Sequence, residues 1–421
     1  MPYCLPGSRV PYARKKMKKD LLEYEQVRDL LISRISPVGT ETVPLALSAW
    51  RVLAQPLVAA DNVPSFDRSP YDGYALRSAD TAGIDGDHPV TLEILEEIPA
   101  GHQGSRKVTY GTAVKIITGA PLPEGADAIV PFERTRFTAE TVTLFTPLAP
   151  GSNVVRAGED VKAGTVLSDK GALIDSGLLA VLAAQNISSP EVYRVPRVGL
   201  ISTGSELIEP GNPAEPGKIY NTNRYSLTAA LLRDGAEAVS IGSAADDAGA
   251  IASLIRDGLA SCDALILSGG VSVGDYDLTP DAMERCGTKI LVRGAAVKPG
   301  MACCYGMADQ KPVMALSGNP ASAITNYYAI VQSAIKKLRG LTNYLPQTIE
   351  LALDRDFEKT SKGTRLLRGK IDIVEGRAVL CLPEKQGNVV ISSLIGCDAM
   401  AVVPAGSGRL SAGTVLKGFL L

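Results

Sequence analysis

Apolar residues are spaced differently in successive parts of the chain, and the spacing predicts the elements. In residues 20–35 they recur every three or four positions between charged residues, which predicts an amphipathic helix. A second short helix is predicted over 45–54. An apolar helix is predicted near 177–185, begun by Asp175 or Ser176 as its N-cap.

The stretch between these helical segments has another character. Residues 62–146 carry short alternating apolar runs split by Gly and Pro, which is typical of a small β-rich domain. If the flanking segments, 19–61 and 147–195, pack beside one another, the β-rich domain is an insertion in one elongated linking domain.

In residues 196–345, near-continuous apolar runs alternate with helical segments. The strands are predicted at 198–202, 238–241, 264–267 and 313–316, and the helices at 224–234, 247–260 and 320–338. This alternation predicts an open, doubly wound parallel sheet that is covered on both faces.

Residues 346–421 lose the helical spacing. Glu375-Gly376 separates two alternating runs and is a two-residue hairpin signal. A small C-terminal β-barrel domain is predicted here, which makes the chain a multidomain protein of α/β and β domains.

Composition excludes several classes of function. The net charge of -2 gives no basic excess for a nucleic-acid backbone, and no run of 18 apolar residues spans a membrane. The 7 cysteines form no C-x-x-C pair, and with only 2 histidines a zinc site is not expected. Reduced thiols in a cytoplasmic protein are the simplest interpretation. Residues 1–18 are expected to be a flexible arm or an over-long start, with Met17 as the true initiator.

Glycines, hydroxyls and carboxylates follow the predicted strands of the α/β domain. They are Thr203, Gly204 and Glu206 after the first strand, Asp246 after the second, Gly269, Gly270, Ser272, Gly274 and Asp277 after the third, and Ser317, Gly318 and Asn319 after the last. Open α/β sheets bind ligands beyond the carboxyl ends of their strands. Glycine turns let backbone N–H groups approach a phosphate, and a helix N-terminus adds donors. The pattern predicts a site for a phosphorylated ligand.

Carboxylates beside a phosphate repel it unless a divalent cation lies between them. Glu206, Asp246 and Asp277 are therefore predicted to hold Mg²⁺. Single features have simpler explanations, since a Gly-Gly pair after a strand is usually a plain turn and Asp247 is explained equally well as a helix N-cap. Walker A and G-x-G-x-x-G motifs are absent, which disfavours an ordinary ATPase or NAD domain.

The β-rich domain holds a second concentration of polar groups. Ser69 and Asp72 lie in a segment, 66–75, whose aromatic residues favour an ordered loop over a solvated one. Thr118 and Asp160 are further candidates, although a plain turn explains each of their segments about equally well. Lys298 and Pro299 place a cation beside a rigid turn, which suits an anionic ligand.

Taken in order, these motifs resemble the molybdopterin molybdenumtransferases, the MoeA-type enzymes related to the E domain of gephyrin. The resemblance covers about residues 20–421 and rests on segments 66–75, 118–121, 158–160, 202–207, 219–223, 246–247, 268–277, 298–300 and 317–322. Each motif is modest alone, and the ordered set is specific.

The resemblance implies four domains, one of them a MogA-like molybdopterin-binding domain, and a homodimer whose active sites lie between subunits. It implies insertion of molybdate into adenylylated molybdopterin with Mg²⁺ and release of AMP. Molybdopterin adenylyltransferase and molybdoenzymes are then possible partners. The family's functional residues map onto Asp72, Thr118, Asp160, Glu206, Asp246, Asp277 and Lys298.

The chain departs from the family pattern at several positions. Ser205 and Asn221 each replace a usual Asp, Met301-Ala302 replaces Lys-Pro, and Gly294 stands where a second lysine is usual. The acidic positions survive, so the chemistry is expected to survive with them. The sequence does not separate molybdate from tungstate.

Three other functions fit parts of the pattern. An enzyme that only adenylylates molybdopterin resembles residues 196–340, but it would not use the other domains. A gephyrin-like scaffold is expected to carry a long linker and an added domain. A cofactor-storage protein would bind the pterin without releasing AMP.

Overall fold

The computed structural model describes residues 21–272 and 278–421. The predicted arm at residues 1–18 lies outside them. In chain order, the first half of the chain forms α1 Tyr24–Ile32, β1 Thr40–Thr42, β2 Leu57–Val58, β3 Gly73–Leu76, β4 Val90–Ile98, β5 Thr112–Ile116, β6 Ala128–Pro131, β7 Thr135–Phe137, β8 Thr141–Leu144, β9 Val166–Ser168, α2 Ser176–Ala184 and β10 Glu191–Tyr193.

The second half continues with β11 Arg197–Thr203, β12 Leu207–Ile208, β13 Ile219–Tyr220, α3 Thr222–Arg233, β14 Glu237–Ala244, α4 Ala248–Ser261, β15 Ala264–Ser268, α5 Thr279–Arg285, β16 Lys289–Arg293, β17 Val297–Lys298, β18 Cys303–Ala308, β19 Lys311–Leu316, α6 Pro320–Asn326 and α7 Gln332–Leu338. A π-helical turn, Tyr327–Val331, joins α6 to α7. The last strands are β20 Thr348–Leu353, β21 Thr364–Val374, β22 Arg377–Cys381, β23 Ala399–Val403 and β24 Val415–Leu420.

Short sheets join the segments before and after the β-rich part. β1 pairs with β10 and β2 with β9, both antiparallel. Between them, β3 to β8 form a six-stranded sheet in the order β6-β3-β5-β4-β8-β7. The boundaries given above for the linking and inserted domains stay predictions.

The predicted helix over 45–54 is wrong. Only Leu45–Leu47 form a turn of 3₁₀-helix, and Val52 and Leu53 then make β-bridges to Leu173 and Val192. These two side chains are buried against the segment that follows the inserted domain. Long-range pairing therefore overrides the local helical spacing. The helix near 177–185 is confirmed as α2, with the Asp175 side chain accepting from the Leu178 N–H as N-cap.

The α/β domain is built on a sheet in the order β14-β11-β15-β19-β18-β16. The four strands predicted from the sequence, β14, β11, β15 and β19, are mutually parallel. β18 is an additional antiparallel strand. Along β15, Ile266 packs into one buried cluster with α1, α3 and the α6–α7 segment, and its neighbours Leu265 and Leu267 pack into another with α4 and α5. The sheet is covered on both faces, as its apolar runs predict.

The C-terminal strands close into a small barrel, because β21 pairs with β22 on one side and β23 on the other, and β20 and β24 complete the ring. The predicted hairpin is present: Glu375 and Gly376, both with positive φ, connect β21 to β22. β17 leaves the α/β domain and pairs with β21. The residues between β16 and β18 therefore touch both domains.

The six cysteines in the described part of the chain are free. Burial raises the pKa of Cys303 and Cys304 in β18 to about 12, so both thiols stay protonated at neutral pH. This agrees with the expected reduced core thiols. Within the described ranges, no helix has the length and apolar character needed to cross a membrane.

Candidate active site

A cleft of about 410 Å³ lies at the carboxyl edge of the α/β sheet. It is lined by the ends of four neighbouring parallel strands, β14, β11, β15 and β19, where open sheets place their ligands. The candidate residues that the fold brings together here are Thr203, Gly204, Glu206, Asp246, Gly269, Gly270, Ser272, Ser317, Gly318 and Asn319.

The glycines after β15 are required by space as well as by conformation. Gly269 and Gly270 have φ of 110° and 63°, where side chains are disfavoured. A Cβ on Gly269 would lie 2.4 Å from the Thr203 carbonyl oxygen, and one on Gly270 would lie 2.5 Å from Thr279 Oγ1. Thr279 Oγ1 also donates to the Gly269 carbonyl at 3.0 Å. The turn is therefore closely packed between β11 and α5. A plain surface turn would not need glycine for lack of space.

The loop between β19 and α6 lies beside the Gly269-Gly270 turn. Asn319 is the N-cap of α6, Pro320 occupies its first turn, and the Asn319 N–H donates to Ser317 Oγ at 3.2 Å. The Ala321 N–H donates to the Asn388 carbonyl of the C-terminal domain at 3.1 Å. The beginning of α6 is therefore held from outside the α/β domain.

Two neighbouring acids after β14 have different partners. The Asp246 carboxylate lines the cleft and accepts from the Ser205 N–H at 3.3 Å and Ser205 Oγ at 3.0 Å. The Asp247 carboxylate instead accepts from the Ala250 N–H at 2.7 Å and caps α4. The simpler explanation of Asp247 is the correct one.

Glu206 folds back over the turn that precedes it, since a Cβ on Gly204 would lie 2.5 Å from Glu206 Oε2. Glu206 and Asp246 therefore place two carboxylates in one cleft. Asp277 and Gly274 lie outside the described residues. Among residues 21–272 and 278–421, no three His, Cys, Asp or Glu side chains are grouped closely enough to hold a metal.

Asp72 and Thr118 form a second site in the β-rich sheet. The Asp72 carboxylate accepts from the Thr118 N–H at 2.8 Å and from Thr118 Oγ1 at 2.7 Å. Both bonds lower the pKa of Asp72, and the backbone bond has the larger effect. Ser69 is buried, and its hydroxyl donates to the Tyr71 carbonyl at 2.5 Å, which shapes the loop leading to Asp72. The carboxylate is held ionised at the surface.

Asp160 lies in a smaller cleft of about 200 Å³. Arg68 and Glu159 line it as well, and the Arg68 N–H donates to the Val155 carbonyl at 2.9 Å. None of Asp72, Thr118, Ser69 or Asp160 lines the larger cleft, so the described chain separates the candidate residues into groups.

Lys298 and Pro299 also lie apart from the lining of the larger cleft. Lys298 is an exposed residue of β17, opposite Arg365 of β21. Pro299 is buried beside it, and the next residue, Gly300, accepts from Asn326 Nδ2 of α6 at 2.8 Å. Lys298 is therefore positioned at the joint where the α/β domain meets the barrel.

Comparisons with known proteins match three family models in sequence. They are the MoeA N-terminal region (domain I and II) over residues 22–185, a probable molybdopterin binding domain over 199–337, and the MoeA C-terminal region (domain IV) over 350–420. The chain is 33% identical over 399 residues to the molybdopterin molybdenumtransferase of Staphylococcus aureus strain Mu50, covering 94% of each chain. The chain belongs to the molybdopterin molybdenumtransferase family.

Other members agree with this membership. The family member from Staphylococcus epidermidis strain ATCC 12228 is 32% identical over 412 residues, which are 97% of this chain and 95% of that protein. The crystal structure of the molybdopterin biosynthesis moeA protein from Pyrococcus horikoshii OT3 is similar with a TM-score of 0.82 and 31% identity, over 96% of this chain and 100% of that one. The likeness in sequence and fold thus runs through all the domains.

Two departures from the family pattern can now be placed. Ser205, in place of an Asp, donates to Asp246 instead of repelling it. Asn221, also in place of an Asp, caps α3, and its Nδ2 donates to Ser202 Oγ at 2.9 Å and Glu209 Oε1 at 3.1 Å. Both changes remove a negative charge from the region of the cleft.

Two notable residues were not among the candidate site residues, although Asn223 lies in the 219–223 motif. Asn223 lines the cleft and is buried. Arg368 of β21 is fully buried; Nη2 donates to Ser393 Oγ at 2.9 Å, while Nε and Nη1 have no partner among the described residues. Burial lowers the pKa of Arg368. Arg368 precedes the alternating run at 371–374, so no pattern in the sequence pointed to it.

Proposed function

We propose that this protein inserts molybdate into adenylylated molybdopterin and releases AMP in a Mg²⁺-dependent reaction, forming molybdenum cofactor. The observation that carries the proposal is the larger cleft, which combines glycine turns suited to a phosphorylated ligand with the carboxylates of Glu206 and Asp246. Membership of the molybdopterin molybdenumtransferase family supports the choice of reaction.

The turns at Gly269-Gly270 and at Ser317–Asn319 would bind the phosphate and diphosphate groups of the substrate. Glycine is required where the backbone must come close, and Thr203, Ser272 and Ser317 add side-chain hydroxyls to the same cleft. Lys298 would contribute a positive charge to the anionic substrate from the neighbouring joint. In this proposal these residues bind and orient the substrate.

The donor set fits Mg²⁺, a cation that prefers oxygen ligands and uses one or two carboxylates together with substrate phosphates. Glu206, Asp246 and Asp277 would hold it. When bound, Mg²⁺ would offset the negative charge of the diphosphate and polarise its phosphoryl oxygens. With uncharged Ser205 and Asn221, these three acids are the functional acids of the family pattern retained in the α/β domain.

Asp72, Thr118, Ser69 and Asp160 would act from a second subunit of a homodimer. They lie in the linking and β-rich parts, and none lines the larger cleft. The Thr118 hydrogen bonds keep the Asp72 carboxylate ionised and fix its direction. The site would then be complete only where two subunits meet.

One assay tests the proposal. The protein is incubated with adenylylated molybdopterin and Mg²⁺, with molybdate, tungstate or neither, and AMP is measured. AMP should appear when an oxyanion is present, and Asp277→Ala should abolish the release while the circular dichroism spectrum stays unchanged. A requirement for ATP would point to adenylylation instead. Retention of the pterin without AMP release would indicate a storage protein.

A further inference from the structure

Asn223 occupies an unusual position for an asparagine. It is the second residue of α3, only 6% of its surface is exposed, and it lines the larger cleft. Asparagine is a poor helix former, so its own helix does not explain its presence. The hydrogen bonds of its side chain give a better explanation.

The amide nitrogen of Asn223 joins the two turns of the cleft. Nδ2 donates to Ser268 Oγ at 2.6 Å and to the Gly318 carbonyl at 2.9 Å. Ser268 ends β15 just before the Gly269-Gly270 turn, and Gly318 lies in the loop that begins α6. The turns themselves are in contact, since a Cβ on Gly318 would lie 3.6 Å from the Gly269 Cα.

The other half of the same amide has no partner. Asn223 Oδ1 is buried and without a hydrogen bond among the described residues. A buried acceptor without a donor lowers stability. The residue is thus better explained by what Nδ2 holds in place than by a contribution to stability.

We propose that Asn223 is a positioning residue, whose amide fixes the turn after β15 relative to the loop before α6 so that N–H groups from both converge on one phosphate or diphosphate group. The identity of that ligand rests on the proposed function. The role of Asn223 in joining the two turns rests on its two hydrogen bonds and does not depend on the ligand.

The chemistry of the amide gives a sharp variant. Asn223→Asp keeps the shape but replaces the donor with an acceptor that faces the Gly318 carbonyl oxygen, so the bridge cannot form to both partners. Asn223→Ala removes the bridge altogether. Ser226→Ala is the matched control, because Ser226 lies one turn further along α3 and does not line the cleft. Its hydroxyl donates to the Asn223 carbonyl at 3.1 Å and to no other of the described residues.

Two measurements on the full chain test the proposal. Hydrogen exchange followed by mass spectrometry reports the peptides 264–272 and 316–323, and AMP release reports KM and kcat for adenylylated molybdopterin. In Asn223→Asp and Asn223→Ala, both peptides should exchange faster than in the wild type. KM should rise by about tenfold or more with kcat within about threefold, because binding is lost while the reacting groups remain. Ser226→Ala should match the wild type in every respect.

Other outcomes overturn the proposal. Unchanged exchange in both peptides would show that the amide does not hold the turns. A fall in kcat at constant KM would assign Asn223 to the chemical step instead. If the wild type released no AMP, the proposed function would fail, but the exchange data would still decide the role of Asn223.

Ser268→Ala covers the case in which the Asn223 variants do not fold. It removes one acceptor of the bridge and leaves Asn223 in place, so the same changes should appear in the same direction and smaller. With wild-type exchange and wild-type KM in Ser268→Ala, the bridge would have no role in binding.

Discussion

Asp246 and Asp247 are adjacent in sequence and have different hydrogen-bond partners. One lines the cleft and bonds Ser205, and the other caps α4. The distinction depends on the direction of each side chain at the end of β14, which the residue types alone do not reveal. Variants of the two residues can therefore be compared directly, because the residues are neighbours in the chain and differ in their contacts.

We expect Asp246→Asn to lower AMP release by more than about tenfold and to raise the Mg²⁺ concentration that gives half-maximal rate. Asp247→Ala should leave the rate per folded molecule unchanged and should lower the free energy of unfolding by about 1 kcal/mol through loss of the cap. Urea unfolding and an Mg²⁺ titration of AMP release measure both. Equal loss of activity in the two variants would contradict the assignment.

Thr118→Val should raise the pKa of Asp72 toward its ordinary value. The folded protein holds this pKa low because Thr118 donates two hydrogen bonds to the ionised carboxylate, and the substitution removes the hydroxyl while the backbone N–H remains. The associated stability is present above the unfolded pKa and is lost as the pH falls through the lower folded pKa. A ¹³C NMR titration of Asp72 measures the shift, and an unchanged pKa would show that the hydroxyl bond is absent in solution.

Sequence patterns identified some site residues and missed others for a physical reason. Asp72 and Thr118 lie in separate motifs and are hydrogen-bonded in the fold. Asn223 lies in the 219–223 motif but was not a candidate site residue, and Arg368 lies in no motif. Their importance comes from distant partners and from burial, neither of which is visible in the neighbouring residues.

Elements with strong local patterns were predicted well. The helices that became α1, α2, α3 and α4 have a clear apolar period or cap, and the Glu375-Gly376 hairpin has a turn that few residue pairs can adopt. The failure at 45–54 is of the opposite kind, because pairing with Leu173 and Val192 decides that segment. Strands β16 and β18 of the same sheet were not among the predicted strands.

The turn after β15 gives a prediction at the scale of an element. Gly269→Ala should lower the free energy of unfolding by more than the roughly 1–2 kcal/mol of a left-handed residue, because its Cβ would also strike the Thr203 carbonyl. Gly211→Ala is the control: its φ is 100° but nothing lies within 4 Å of an added Cβ. Thermal unfolding of both variants measures the difference. Equal destabilisation would mean that the close approach to β11 is not present.

At the scale of the whole molecule, the fold leaves Asp72 out of the lining of the larger cleft that contains Asp246. The proposed homodimer explains this by supplying Asp72 from a second subunit. Contacts that cross domains, such as Thr364 Oγ1 to Glu23 Oε2 at 2.7 Å and the Ala321 N–H to the Asn388 carbonyl at 3.1 Å, tie the α/β domain, α1 and the barrel together. A site between subunits would then rest on a connected framework.

A mixing experiment tests this arrangement. Asp72→Asn and Asp246→Asn are each expected to release AMP at less than about a tenth of the wild-type rate. Unfolding and refolding them together should form mixed dimers with one native site each. Random pairing then restores about a quarter of the wild-type activity, since about half of the dimers are mixed. Sedimentation verifies the dimer. If both residues served one site within a subunit, mixing would restore nothing.

By itself, the sequence determined the helices with a regular apolar period, the tight hairpin, the α/β and β character of successive segments, and the types of residue at the strand ends. These are local properties, set by side-chain spacing and by the backbone angles that Gly and Pro permit. Only the tertiary structure decided which of them meet. Strand order brought four strand ends into one cleft, and long-range pairing replaced a predicted helix. The fold also gave Asn223 and Arg368 distant hydrogen-bond partners and left some of their buried polar atoms without one among the described residues. These outcomes depend on residues far apart in the chain.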